Sequence, residues 1–154
     1  MEPIDVTAYV LHMIFAGLWT GSVLFLTYSI LPLARNGSFD VTALRTITGK
    51  LKTVSRVSAV LLFVTGSHMA AARHTGESLT GTDGGYLVLS MLVLWAILMG
   101  SVEMGAAKLT SGTGRDKVRE PARKARPLFL VAAVLSLLLL VNAGLLSAYN
   151  VGFL

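Results

Sequence analysis

Cysteine is absent from this 154-residue chain, which excludes disulfides, thiolate metal sites, iron–sulfur clusters and thiol redox chemistry. Charge is scarce as well. Asp, Glu, Lys and Arg together make up 14% of the residues, against about a quarter in a soluble domain. What fills the chain instead is apolar: 54% of residues are hydrophobic, the mean hydropathy is +0.71, and these residues come in long, nearly uncharged blocks. That pattern excludes a soluble enzyme and a disordered chain. It describes a small integral membrane protein.

A helix needs roughly 20 apolar residues to cross the hydrocarbon core of a bilayer. Four stretches qualify: about Ala8 to Leu31, Val57 to Ala72, Tyr86 to Ala107 and Leu128 to Tyr149. Pro32 is expected to stop the first. The second is short and lies between Arg56 and Arg73, whose long side chains can snorkel outward and extend its reach. Four spans with short connections predict an all-α, up-down-up-down four-helix bundle in a single transmembrane domain, residues 1–154.

Charge placement predicts orientation. Twelve of the thirteen basic residues fall in the first and third connections, and only Arg73 lies on the other side. The positive-inside rule then puts the basic connections in the cytoplasm and both termini outside a plasma membrane. Tyr9, Tyr86 and Tyr149 fall at the outer span ends, as an aromatic belt would. The net charge of +5 is therefore a matter of topology and of attraction to anionic headgroups. Without aromatic residues among the basic ones, a nucleic-acid partner is not expected. Acidic Glu2 and Asp5 at the start do not suit a signal peptide.

Connections read as short. Gly81-Thr82-Asp83-Gly84-Gly85 predicts a turn outside, and Ser111-Gly112-Thr113-Gly114 a flexible stretch inside. Leu44, Ile47, Leu51 and Val54 keep helical spacing ahead of the second span. They mark either an interfacial helix or an inner extension of that span.

Ionisable residues inside a membrane span are costly, so each is a functional candidate. His12 lies about one turn inside the outer end of the first span, and His68 at matching depth in the second. Asn142, Ser90 and Met91 should share this layer, while Met13 and Met69 adjoin the histidines. Two imidazoles at one depth can ligate copper, zinc, iron or haem iron. Otherwise each bonds a carbonyl or Asn142 and only joins helices. A b-type haem between His12 and His68 would need the bundle to splay, with Gly17, Gly21 and Gly66 making room and Arg73 pairing with a propionate. Helices packed directly, ~8–10 Å apart, suit a copper ion better.

The remaining candidates have simpler expectations. Gly17 and Gly21 also form a G-x-x-x-G packing motif, and Trp19 either backs a macrocycle or fills the core. Glu103 is expected to snorkel or to pair with a basic residue near the inner end, and His74 to be solvated.

Leu11-His12-Met13-Ile14-Phe15-Ala16-Gly17-Leu18-Trp19-Thr20-Gly21 resembles the first-helix signature of the copper-resistance-D-like membrane family, with Ser22 where that family's second Gly of Trp-x-Gly-Gly would stand. Leu31-Pro32-Leu33 and the segment from Arg56-Val57-Ser58 to Thr65-Gly66 are similar to further parts of that family. Membrane-bound protoporphyrinogen oxidases, with an associated b-type haem, look related, although the Lys of their second helix has no counterpart here. The resemblance covers about the first 75 residues of the chain. It implies His12, then Trp19, as site residues; His68 rests on depth alone.

Three readings stay open at this point. The first is a haem b protein for electron transfer, and any enzyme activity would then be that of a haem-dependent membrane oxidoreductase. The second is a copper transporter or chaperone using the same histidines. The third is a structural subunit without a cofactor, in a homo-oligomer or beside a respiratory partner subunit.

Overall fold

A computed structural model describes residues 2–153, and every regular element among them is helical. The first rod runs from Pro3 to Asn36 as α1 (Pro3–Phe25), a π-helical turn (Leu26–Ile30) and α2 (Leu31–Asn36). Then follow α3 (Val41–Arg73), the short α4 (Gly76–Gly81), α5 (Asp83–Thr113) and α6 (Arg119–Asn150). Four rods are long and apolar enough to cross a membrane. Neighbours in sequence pack side by side, α1 on α3, α3 on α5 and α5 on α6, and α6 closes the ring onto α1 and α2. The result is an all-α four-helix bundle with both termini at one end. The opposite end carries the two basic connections.

Apolar run length locates the rods well and their ends poorly. The first rod does not stop at Pro32. The Leu31 amide reaches back to the Leu26 carbonyl, a π-type bond that widens the turn just ahead of the proline. Pro32 then falls in the first turn of α2, where no amide donor is required. The rod ends instead at Gly37, whose left-handed φ of 77° lets the Gly37 and Ser38 amides cap the Ala34 and Leu33 carbonyls.

α3 is likewise longer than its apolar run. The segment with helical spacing is the inner extension of the second span, and Asp40 caps it by accepting from the Ala43 amide at 2.8 Å. At ~1.5 Å per residue this helix measures ~50 Å, against ~30 Å of hydrocarbon. Its shortness as a span disappears, because its basic part continues beyond the bilayer.

Both glycine-rich connections are more helical than predicted. Between α4 and α5 only Thr82 is non-helical, and its hydroxyl accepts from the Gly85 amide. Gly84 and Gly85 are buried because they must approach closely, Gly84 to the Tyr149 ring and Gly85 to the backbone of Ser78 and Leu79. At the other end Ser111, Gly112 and Thr113 complete α5, with Gly112 against the Pro121 ring.

Burial is unequal along the bundle. The basic half holds the core, with Leu26, Leu31, Leu44, Val102, Leu109 and Phe129 sealed from solvent. Ala34, Ala106, Ala122, Ala125, Ala132 and Ala133 are buried among them and let the backbones approach. Towards the termini from Trp19, Ala59, Leu98 and Ser136, the buried residues among those described are Ala8, Thr65, Gly84, Gly85 and Asn142. Exposed Val60, Val64, Val93, Ile97, Val134 and Val141 form the outward faces that lipid would cover.

Candidate functional site

Asp5, His12 and Trp19 recur every seven residues on the first rod, which places them on one face. On antiparallel α3, Ser58 and Thr65 are also seven apart, and His68 comes one turn later. These two faces meet. His12 Nδ1 stands 2.8 Å from Thr65 Oγ1. The Thr65 hydroxyl proton is already committed to the Leu61 carbonyl, 2.6 Å away. Thr65 therefore accepts, His12 Nδ1–H donates, and Nε2 keeps its lone pair. The imidazole rests on bare backbone, since a Cβ on Gly66 would lie 3.2 Å from His12 Cε1.

His68 is oriented in the opposite sense. Its Nε2–H donates to Asp5 Oδ1 at 3.1 Å, while Asp5 Oδ2 accepts from the Glu2 amide at 3.1 Å. One carboxylate thus caps α1 and fixes the ring on α3. A neutral His68 then carries its lone pair on Nδ1.

Both histidines lie on the α1–α3 interface, His12 against Thr65 and His68 reaching towards Asp5, two turns nearer the terminus than His12. Each is bonded to the opposite helix, and neither bonds the other. Among the described residues, no three His, Cys, Asp or Glu side chains gather as a closed metal cage.

The other candidates are distributed around this pair. Trp19 belongs to the packed core at 2% exposure, and its Nε1–H has no partner. Arg73 is the exposed last residue of α3 and forms no ion pair among the described residues. His74, which caps the end of α3, is half-buried rather than fully solvated. Asn142 bonds Ser90 at 2.5 Å across α5 and α6, so that layer is tied together without a histidine. Beside it, Asp83, Tyr86, Leu87, Ser90, Leu145 and Tyr149 line an open groove of about 600 Å³.

Glu103 pairs with a basic residue as expected. The partner is Arg56 on α3, through two bonds of 2.8 and 3.0 Å. Gly17 and Gly21 do not pack within the bundle. Both are exposed, with nothing within 4 Å of where a Cβ would be.

Sequence reasoning missed Asp5 and Thr65 as the partners of the two rings. The available signal was the heptad Asp5–His12 together with the turn Thr65–His68 on two antiparallel helices.

No family model, curated protein or solved structure matches the chain.

Proposed function

We propose that this multi-pass membrane protein handles a copper ion as cargo, taken up between α1 and α3 by His12 Nε2 and His68 Nδ1. One observation carries the reading. Each imidazole has one nitrogen held by an oxygen of the opposite helix, Thr65 or Asp5, and in the neutral ring the other nitrogen carries a lone pair. Metal-binding histidines are oriented in this way. Two imidazoles suit a low-coordinate ion such as Cu(I). The likeness of the His12–Gly21 segment to the copper-resistance-D-like family agrees. By the positive-inside rule the basic end is cytoplasmic and the site opens towards the outer face of the plasma membrane.

A b-type haem fits this arrangement less well. Ligation by both histidines would hold α1 and α3 apart by a macrocycle. Here the His12 ring lies on Gly66 and is bonded to Thr65, so the macrocycle has no place between these helices as they pack. Trp19 is enclosed in the core.

The deciding experiment is metal analysis and absorption spectroscopy on one copper-supplemented detergent extract, oxidised and then reduced. Stoichiometric copper without a visible haem spectrum is expected. A reduced-minus-oxidised b-type spectrum would replace copper with haem and require α1 and α3 to part. With neither present, the histidines serve only to join the two helices.

Self-association through the outward Gly17–Gly21 face belongs to the same proposal, because small residues one turn apart let two helices approach closely. Leu at both positions should convert a dimer in mild detergent to a monomer by sedimentation. An unchanged dimer would move the contact to another face.

A further inference from the structure

Much of the bundle-facing stripe of α3 is polar. Thr48, Ser55, Ser58 and Thr65 are all buried, and His68 follows. The threonines satisfy themselves, donating to the carbonyls of Leu44 at 2.7 Å and Leu61 at 2.6 Å. The serines do not. Ser55 and Ser58 are fully enclosed, and neither hydroxyl oxygen has a partner.

The helix register brings further polar groups to the same level. His12 faces Thr65, so seven residues towards the basic end on each rod, Trp19 comes level with Ser58. The Trp19 Nε1–H adds a third unpartnered buried group at this level. On α5 the register is set by the Arg56–Glu103 pair, and it brings Ser101 to this level. The Ser101 hydroxyl donates to the Ile97 carbonyl at 2.8 Å and keeps its capacity to accept. A buried polar group without a partner costs several kcal/mol in a hydrocarbon environment. Three in one layer are a strong demand for a small ligand that both donates and accepts.

We propose that this layer holds ordered water. The groups it would join are Ser55, Ser58, the Trp19 indole and the accepting hydroxyl of Ser101. Below this layer Leu26, Leu51 and Leu109 are buried and apolar. One or two waters, each making about three hydrogen bonds, suffice for the groups present. The dry alternative turns both serine hydroxyls onto the carbonyls of Leu51 and Val54 one turn back. The proposal stands apart from the identity of any ion at His12.

The chain has two tryptophans, which makes the test direct. In nanodiscs, the ¹⁵N-labelled Trp19 indole proton should show a cross-peak to water, with Trp95→Phe providing the assignment. Ser58→Val should remove that cross-peak by filling the space and deleting a hydroxyl. The second measurement uses the absence of cysteine. The thiol of Ser58→Cys should exchange its proton in D₂O, read from the S–H infrared stretch, faster than that of Val60→Cys on the outward face. A Trp19 indole with no water contact, and a Ser58→Cys thiol that exchanges no faster than the Val60→Cys thiol, would overturn the proposal. Those results would assign the serine protons to the Leu51 and Val54 carbonyls.

Discussion

His12→Ala protein loaded with Cu(I) should retain essentially none of the ion, and Thr65→Val should bind it about 10–100-fold more weakly. The two losses have different causes. His12→Ala deletes the ligand nitrogen. Thr65→Val keeps nearly the same shape and deletes only the acceptor for Nδ1–H. Without it the ring is free to exchange tautomers and to turn, so Nε2 presents its lone pair for only part of the time. Thr65→Ser, which restores an acceptor, should recover most of the affinity. Stability should scarcely change, because a hydrogen bond between membrane helices averages about 0.6 kcal/mol. Competition against a chromophoric Cu(I) chelator measures the affinities, and resistance of the helical circular dichroism to SDS measures the fold. Copper retained by His12→Ala would move the ligand set elsewhere. A Thr65→Val protein that binds like the wild type would show that Thr65 does not orient the ring.

The same contacts show what a sequence displays and what it hides. Run length and charge placement reveal the four rods, because both register contact with lipid and water. Helix ends depend on local bonds instead. Pro32 is accommodated by the Leu31–Leu26 amide bond, and α3 begins at Val41 because Asp40 caps a basic, amphipathic segment that leaves the bilayer. The site was half legible. Two histidines in neighbouring spans are conspicuous, since ionisable groups are rare in a span. Thr65 was not, because a hydroxyl in a helix usually satisfies itself on a carbonyl one turn back. It does so here while also accepting from His12. Asp5 looks like a capping residue in sequence and serves as one, and its second oxygen orients His68 only because the helices are antiparallel. The G-x-x-x-G motif shows that close approach is available at Gly17 and Gly21, without naming the partner. Inside this chain there is none.

Phe129→Ala should destabilise the bundle by about 2–3 kcal/mol, the second large effect, whereas Leu138→Ala should cost less than about 0.5 kcal/mol. Separated helices in a micelle remain in an apolar medium, so burying Phe129 gains no hydrophobic transfer energy. What the substitution loses is close packing, and the cavity it leaves has a cost of its own. Phe129 is fully buried, and Gly105 of α5 has no side chain because the ring occupies that place: a Cβ there would lie 2.8 Å from Phe129 Cε2. The backbone carbonyl of Phe129 also accepts from Thr27 of the first rod at 3.2 Å. One residue therefore locks α6 to both neighbours in the basic half. Leu138 lies about two and a half turns closer to the termini, is 46% exposed, and exchanges protein contact for lipid contact at little cost. SDS titration of both variants, followed by helical circular dichroism, measures the difference. Equal losses would show that packing is uniform along the bundle. The unequal losses expected would show that the close packing holding α6 is concentrated in the basic half, where Phe129 is sealed, and is weaker towards the termini.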